Sequence, residues 1–252
     1  MVSFSDDEIE RYARHLVLAE IGGPGQQRLK AARVGLIGMG GVGAPAALYL
    51  AAAGVGTLRL IDDDAVALSN LQRQIVFDTA DVGHAKVDAG AQALTALNPH
   101  IAIEAAAERL DAASAPRLIE GCDLVIDGTD DFATRFAVNA ACVAAGIPLV
   151  SGALGRWSGQ IGVFAGRPCY RCLVSETPPD AETCARVGVV GALAGVVGAM
   201  TALEAIKLIT GAGQALTGRL LLYDGLAGTA RTVRVAADPS CPVCAAPRQA
   251  KA

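Results

Sequence analysis

A glycine-rich turn between two apolar strands constrains this chain more than any other feature. Residues 34–37 form an apolar run, and Gly38, Gly40 and Gly43 follow it with the spacing G-x-G-x-x-G. Such a turn lets the backbone reverse tightly into a helix whose free N–H groups face a bound phosphate. Asp62 ends the next apolar run, about 20 residues further on, where a carboxylate can accept a ribose hydroxyl. The segment therefore predicts a nucleotide-binding strand–helix–strand unit.

This spacing alone leaves the nucleotide open, because hydride-transfer enzymes bind NAD or FAD at the same turn. Asn70 and Arg73 follow the ribose acid closely, and Lys86 opens the next predicted helix. Cations placed there favour a polyphosphate, since a guanidinium binds phosphate oxygens through two parallel N–H bonds. The plainer alternative is that both cations are ordinary surface side chains.

Asp130 follows a predicted strand at the edge where open α/β sheets bind their ligands. Carboxylates in that position commonly hold Mg²⁺ against substrate phosphates. The alternative is that Asp130, or Asp131 beside it, caps the following helix without a metal.

The order of predicted elements is typical of an α/β fold, Rossmann-like and doubly wound around a mostly parallel sheet. Ser5 and Glu8 have capping-box spacing at the start of an N-terminal helical arm, about residues 5–30. We expect one domain over residues 1–252, with a metal-bound C-terminal part at about 165–245. The predicted strands are 58–61, 101–105, 123–127, 148–151, 160–165, 219–223 and 232–236, and the later helices are 86–97, 115–120, 132–145 and 187–209.

Charge and hydropathy exclude some classes of partner. The formal net charge is −4, so no general basic surface is available for nucleic acid. The N-terminus is acidic where a secretory signal would be basic and then apolar, which predicts a cytoplasmic protein. Glu204 and Lys207 interrupt the apolar stretch 187–209, so this stretch predicts a buried helix and no contact with a membrane.

Two C-x-x-C pairs, Cys169 with Cys172 and Cys241 with Cys244, predict a Cys₄ zinc site. Each pair supplies two thiolates, and the chain folds back to complete the tetrahedron. A closed shell of four thiolates leaves no position for a substrate, so the zinc would clamp the C-terminal strands.

The other three cysteines differ in their surroundings. Cys122 and Cys142 lie in apolar segments and are expected in the core. Cys184 lies in a polar stretch near Arg186, and a nearby guanidinium favours a thiolate. A reactive role for Cys184 and an inert one both stay open on this pattern.

Taken together, these motifs resemble the MoeB/ThiF/HesA family, relatives of the ubiquitin-activating enzymes. The resemblance covers about residues 5–245. It implies an adenylyltransferase that uses ATP and Mg²⁺, releases pyrophosphate and activates the C-terminal Gly-Gly carboxylate of a small ubiquitin-like sulfur-carrier protein. The carrier would be MoaD-like or ThiS-like, serving molybdopterin or thiamin biosynthesis. The motifs are Gly38-Met-Gly-Gly-Val-Gly43, Ser69-Asn-Leu-Gln-Arg-Gln74, Lys86, Thr129-Asp130, Thr183-Cys184 and the two cysteine pairs.

The resemblance also implies roles for individual residues. Arg14 resembles an arginine that reaches into the neighbouring subunit's site, which implies a homodimer. Cys184 resembles a loop cysteine that takes up the activated carrier or its sulfur, which brings in a cysteine desulfurase or another sulfur donor. The implied catalytic set is Arg14, Arg73, Lys86, Asp130 and Cys184. The implied ATP and metal contacts are Gly38, Gly40, Gly41, Gly43, Asp62, Ser69, Asn70, Leu71, Gln72, Arg73, Lys86, Asp130 and Asp131.

The sequence departs from the family pattern in three respects. Asp131 stands where the family commonly has Asn, Gly128 stands where close relatives often have Cys, and we expect no rhodanese domain.

One alternative function is an NAD-dependent oxidoreductase, which a nicotinamide absorbance assay would detect. Another is a non-catalytic subunit that binds a ubiquitin-like protein, although Arg73 and Lys86 are retained. A tRNA threonylcarbamoyladenosine dehydratase is disfavoured by the acidic charge balance.

Overall fold

The computed structural model describes residues 3–177 and 188–245. It is built on one eight-stranded sheet with the order β3-β2-β1-β4-β5-β6-β7-β8. The strands are β1 (Arg33–Ile37), β2 (Thr57–Ile61), β3 (Ala102–Ala106), β4 (Leu124–Asp127), β5 (Leu149–Leu154), β6 (Ser158–Phe164), β7 (Arg219–Asp224) and β8 (Thr229–Arg234). The α/β class predicted from the sequence is confirmed.

Strands β1 to β5 form the parallel half of the sheet, and their apolar sequences reflect burial on both faces. Strand β4 is buried at every position, as expected for a strand that helices cover on both sides. In register, Ile37 pairs with Ile61 on one side and with Asp127 on the other. Three strands therefore end at the same level, so the loops that follow them meet at one edge.

Strands β6, β7 and β8 extend the sheet in antiparallel fashion, each paired with its predecessor. Strand β8 is exposed at all six positions. The sheet thus has a buried parallel half and a partly open antiparallel half. The predicted strand 232–236 begins three residues earlier, at Thr229, because pairing with β7 sets its start.

Helices cover both faces of the parallel half. They are α1 (Asp6–Arg11), α2 (Ala13–Leu16), α3 (Gly22–Ala31), α4 (Gly43–Ala53), α5 (Lys86–Leu97), α6 (Ala115–Leu118), α7 (Phe132–Ala145), α8 (Tyr170–Leu173) and α9 (Gly191–Thr210). The bounds of α5 and α7 coincide with the predicted ones.

Helix α9 is long and apolar enough to cross a membrane by length and composition, but core helices of soluble proteins share that property. It packs against α4, α3, β5 and β6. A Cβ on Gly198 would lie 2.4 Å from Pro45, so the glycine permits close approach of α4 and α9. Glu204 accepts a hydrogen bond from the Leu216 N–H and pairs with Lys207. Its charged residues therefore have partners within the fold, as predicted for a buried helix.

The N-terminal arm consists of three short helices rather than one. Ser5 and Glu8 make both hydrogen bonds of the predicted capping box. Tyr12, buried between α1 and α2, accepts a hydrogen bond from the Asn98 side chain just beyond the end of α5. It also lies against Gly54, just beyond the end of α4. The arm thus docks at the ends of α4 and α5 that are far from the glycine turn.

Candidate nucleotide-binding site

A cavity of about 660 Å³ lies at the edge where β1, β2 and β4 end. Its volume is in the range of small-molecule sites. Among the residues expected at the site, those lining it are Gly38, Gly40, Gly41, Asp62, Asn70, Arg73, Lys86, Asp130 and Asp131. In the described part of the chain, the cavity lining does not include Gly43, Ser69, Leu71 or Gln72.

The glycine turn forms one wall of the cavity for steric reasons. Gly38 has a φ of +86°, a conformation that favours glycine. A Cβ on Gly43 would lie 1.8 Å from the Gly38 carbonyl oxygen, so Gly43 shapes the turn from behind although it does not line the cavity. Among the described residues, no side chain caps the start of α4. Ala44 and Ala46 donate to the carbonyl oxygens of Gly40 and Val42, and Pro45 has no N–H, so the positive end of the helix dipole rather than a row of free N–H groups faces the cavity.

Asp62 is held beside this turn by the backbone. Its carboxylate accepts hydrogen bonds from the N–H groups of Met39, at 2.6 Å, and Asp64, at 2.9 Å. Burial raises the pKa of Asp62, while Lys86 and the two N–H groups lower it, and the net shift is upward. The two N–H groups thus fix the Asp62 carboxylate in place, but together with Lys86 they do not offset the effect of burial on its pKa.

Lys86 is buried at the start of α5 and faces two carboxylates. Its Nζ lies 2.7 Å from Asp64 Oδ2 and 3.9 Å from Asp62 Oδ1. Lys86 therefore lies inside the cavity, so the alternative that it is an ordinary surface cation does not hold for this residue.

The 69–73 segment brings Arg73 into the lining of the cavity, beside the glycine turn. Arg73 donates a hydrogen bond to the Ser69 carbonyl oxygen, and Asn70 caps its own short turn by accepting from the Ala67 N–H. A Cβ on Gly41 would lie 3.5 Å from Arg73 Cδ, so the arginine stem packs on the glycine turn.

Asp130 and Asp131 follow β4 and differ in their contacts. Asp131 is the N-cap of α7 and accepts from the Thr134 N–H at 2.9 Å, with Arg109 Nη2 at 3.5 Å from its other oxygen. Asp130 is exposed and lines the cavity. The capping role thus belongs to Asp131, whose extra charge relative to Asn is matched by Arg109.

Gly128 also has a steric explanation. A Cβ at this position would lie 2.9 Å from the Gly43 backbone nitrogen and 3.3 Å from Val42 Cβ. The close contact between the end of β4 and the glycine turn therefore favours glycine here.

Sequence reasoning missed several buried polar residues of the cavity. Arg135 and Tyr170 line its inner end, and Gln74 lines it with a buried Oε1 that has no hydrogen-bond partner among the described residues. Arg135 lies on the buried face of α7, and the helical period could have placed it there. An arginine on a buried face is rare unless paired, and that was the available signal.

Of the remaining two predicted catalytic residues, Arg14 does not line this cavity. Arg14 is exposed on α2, within the arm that docks at the far ends of α4 and α5. Cys184 lies outside the described residues.

The four paired cysteines come together behind α7. All four sulfur atoms lie within 4.8 Å of one another, with Cys169 to Cys241 at 3.6 Å and Cys172 to Cys244 at 3.4 Å. Tetrahedral zinc at its usual sulfur distance separates its ligands by about 3.8 Å, so the donor set fits that ion. The Asn139 side chain and the Asp238 N–H donate hydrogen bonds to sulfur from outside the cluster.

The thiols of this cluster differ in acidity. Burial raises the pKa of Cys241, but N–H groups of Cys244 and Val243 outweigh it and bring that pKa to about 7. Burial and neighbouring thiols raise the pKa values of Cys169 and Cys244. Four thiolates are thus unfavourable together without a cation between them.

Comparison with known proteins places this geometry in a family. The family model described as "ThiF family" matches residues 12–243. This chain belongs to the ThiF family. Its match covers the nucleotide cavity and three of the four clustered cysteines, Cys169, Cys172 and Cys241.

Named relatives cover nearly the whole chain. It is 46% identical over 247 residues to the molybdopterin-synthase adenylyltransferase of Escherichia coli, covering 97% of this chain and 99% of the relative. It is 44% identical over 246 residues to the SAMP-activating enzyme E1 of Haloferax volcanii, covering 96% and 91%. It is 43% identical over 250 residues to the sulfur carrier protein adenylyltransferase of Thermus thermophilus, covering 96% and 92%.

Solved structures share the fold at lower identity. Crystalline PaaA is 26% identical, with a TM-score of 0.80, and the match covers 93% of this chain and 76% of that one. Escherichia coli MccB, crystallised with AMPCPP and MccA, is 24% identical, with a TM-score of 0.82 and coverage of 93% and 74%. The second likeness concerns the fold alone.

Proposed function

We propose that this ThiF-family protein adenylates the C-terminal glycine carboxylate of a ubiquitin-like sulfur-carrier protein, MoaD-like or ThiS-like, using ATP. One observation carries the proposal. A single cavity combines the glycine turn before α4 with Asp62, Arg73, Lys86 and Asp130. A dinucleotide site needs the glycine turn and the acid, but these cations and the second carboxylate suit a triphosphate with a metal. The relatives named as adenylyltransferases support the same reaction.

The chemistry follows from where the charges lie. A carrier carboxylate oxygen attacks the α-phosphorus of ATP, a new P–O bond forms, and the bond to the bridging oxygen breaks as pyrophosphate leaves. Negative charge grows on the phosphoryl oxygens and on the leaving group. Lys86, Arg73 and the positive end of the α4 dipole would stabilise that charge, and Asp62 would fix the ribose. No side chain needs to act as a nucleophile.

Asp130 would hold Mg²⁺ against the phosphates. An exposed carboxylate at the cavity mouth suits this ion, which keeps several waters and takes one or two protein carboxylates. When bound, Mg²⁺ would offset part of the phosphate charge.

The carrier's tail would enter over the antiparallel strands. A second hollow, on β6, β7 and β8, shares Ala153, Leu154 and Gln160 with the nucleotide cavity. An extended Gly-Gly tail could pass this shared wall because glycine backbones need little width. The exposed β8 leaves room for the body of the carrier.

A homodimer would complete the site with Arg14 from the second subunit. The contacts of Gly41 with Ala194 and of Gly198 with Pro45 show that α4 and α9 run in the same direction. Tyr49 and Leu203 therefore lie at similar heights, and each is more than half exposed. An apolar pair of that kind suits a subunit contact.

Zinc would occupy the Cys169, Cys172, Cys241 and Cys244 cluster and clamp the segment after β8 to the segment after β6. Its role would be structural, because four thiolates close the shell. Cytoplasmic location, a cysteine desulfurase as sulfur donor and uptake of sulfur or carrier by Cys184 belong to the same proposal.

The decisive experiment is isotope exchange between labelled pyrophosphate and ATP. Exchange should require a carrier with an intact Gly-Gly end, and a carrier lacking the last glycine should give none. Running MoaD-like and ThiS-like carriers side by side identifies the partner. Carrier-independent exchange, or none with either carrier, would contradict the proposal.

The role of Arg14 has its own test. Arg14→Ala and Asp130→Ala proteins should each be inactive, and mixing them should restore part of the activity through hybrid dimers. Each hybrid contains one site with neither defect if Arg14 acts on the partner's site. Absence of recovery after verified subunit exchange would place Arg14 outside that site.

A further inference from the structure

We propose that Arg135 is a positioning residue that anchors the Thr129–Asp130 turn to strand β5 and so sets where the Asp130 carboxylate stands. This inference rests on the proposed function, in which Asp130 holds Mg²⁺. Arg135 lies in the second turn of α7, is 4% exposed and faces the inner end of the nucleotide cavity.

The hydrogen bonds of Arg135 join two walls of the cavity. Its Nη2 donates to the Thr129 carbonyl oxygen on the β4–α7 turn, and also to the Gly152 carbonyl oxygen on β5 at 2.8 Å. Its Nη1 donates to Ser151 Oγ at 3.0 Å. One planar guanidinium therefore ties the turn that carries Asp130 to the neighbouring strand.

Asp127 holds the other side of the same turn. Its Oδ1 accepts from the Thr129 N–H at 3.0 Å and from the Thr129 hydroxyl at 2.7 Å. Its Oδ2 is buried without a hydrogen bond from the described residues, and Arg135 Nη1 lies 3.8 Å away. The amide, hydroxyl and carbonyl groups of Thr129, the residue immediately before Asp130, thus all make hydrogen bonds to Asp127 or Arg135.

The cost of this arrangement argues for a role beyond packing. Buried ion pairs often contribute less stability than apolar residues of similar volume, because both charges lose water. The other buried side chains of α7 include Val138 and Cys142, which fill the same layer without that cost. A buried arginine that donates to two backbone carbonyls at the cavity edge fixes geometry in a way that an apolar side chain cannot.

Lysine cannot replace this arrangement. An ammonium would keep the positive charge near Asp127, but its donors radiate from one nitrogen and cannot span three acceptors as a rigid fork does. The Arg135→Lys protein should therefore fold while its Asp130 turn is less well fixed.

The test measures nucleotide binding without the carrier. Binding of a fluorescent, non-hydrolysable ATP analogue is followed as Mg²⁺ is titrated. Arg135→Lys should raise the Mg²⁺ concentration for half-maximal binding about tenfold. Mutating a group that orients a metal ligand typically lowers metal affinity by at least this factor. Nucleotide affinity without Mg²⁺ should change little.

Arg59→Lys is the matched control. Arg59 also donates to two backbone carbonyls, those of Leu118 and Glu120, and pairs with Glu104. These contacts lie outside the cavity, so its replacement should lower stability without moving the Mg²⁺ midpoint. Equal Mg²⁺ midpoints for wild type and Arg135→Lys, or equal shifts for both arginine variants, would overturn the proposal.

Two further variants separate the possible failures. If Arg135→Lys does not fold, Ser151→Ala, which removes one anchor, decides: a shift of about two- to threefold supports the proposal and an unchanged midpoint overturns it. Asp130→Asn tests the metal role itself. If its midpoint equals that of the wild type, the Mg²⁺ assignment fails, whatever Arg135 does.

Discussion

The nucleotide cavity and the cysteine cluster are both sets of ionisable groups, but they are balanced differently. In the cavity, charges are matched within the chain: Lys86 faces Asp64, Arg135 faces Asp127, and Arg109 faces Asp131. In the cluster, four thiols crowd together, and the pKa values of Cys169 and Cys244 are raised. The charges of the cavity are paired without a ligand, whereas the cluster needs a cation to be stable in its thiolate form.

This difference predicts which ligand supports the fold. Removing ATP leaves a cavity whose carboxylates and cations still compensate one another. Removing a metal leaves thiolates that repel one another or must take up protons, and the segments around Cys169 and Cys241 lose their link. Stability should therefore depend on the metal and catalysis on the cavity charges.

The largest expected effect is metal loss. Stripping zinc with a chelator, or making Cys244→Ser, should lower the melting temperature by on the order of 10 °C, because several kcal/mol of binding energy are lost. Zinc content and calorimetry measure it. Cys142→Ala, a buried cysteine outside the cluster, is the control and should retain one zinc per chain. Protein that contains no zinc when prepared without chelator would refute the assignment.

Next in size is the loss of cavity charges. Lys86→Ala and Arg73→Ala should each reduce carrier-dependent pyrophosphate exchange about 10²-fold, or about 2.7 kcal/mol, the scale for removing one charge partner of a transition state. Melting temperatures should change far less than in the zinc-free protein. Arg33→Ala, which removes an arginine at the far end of β1, should exchange at the wild-type rate. Exchange at the wild-type rate in either variant would show that catalysis does not depend on that cavity charge.

Titration of Asp62 should give a smaller effect. Burial raises the pKa of Asp62, and the ribose contact needs the ionised carboxylate. ATP affinity should therefore be full above that raised pKa and fall as pH drops through it, starting at a higher pH than for an exposed aspartate. We expect up to about tenfold, or 1.4 kcal/mol. The Asp62→Asn protein, measured by calorimetric titration across the same range, should show a flatter profile; equal slopes would exclude Asp62 as the titrating group.

The smallest expected effect concerns Asp131. Asp131→Ala should cost about 1 kcal/mol of stability, because the α7 cap is lost, and Asp131→Asn should cost almost nothing, because its amide oxygen caps equally well. Denaturant unfolding of the two variants compares them directly. A large change in ATP affinity for Asp131→Asn would show that its charge, although paired with Arg109, matters at the metal.

Much of the fold followed from local pattern. Helices 86–97 and 132–145 could be bounded from sequence because their apolar period is regular and their ends carry clear signals, such as Asn98-Pro99. Strand ends were less predictable. Strand β5 runs to Leu154, beyond the predicted 151, because antiparallel pairing with β6 continues past the apolar run.

Residue types and their local spacing were enough to predict the chemical groups of the site: a glycine turn, an acid at the end of β2, two cations, a carboxylate after β4 and two cysteine pairs. Those signals are short-range or depend on residue type, so they survive without coordinates. Only the folded chain shows that Lys86 is buried between two carboxylates, that Asp131 rather than Asp130 caps α7, and that Arg135 joins the β4–α7 turn to β5. The cap is a choice between two adjacent carboxylates that local pattern leaves open. The other two depend on contacts between separate segments, and residue spacing carries no information about such contacts.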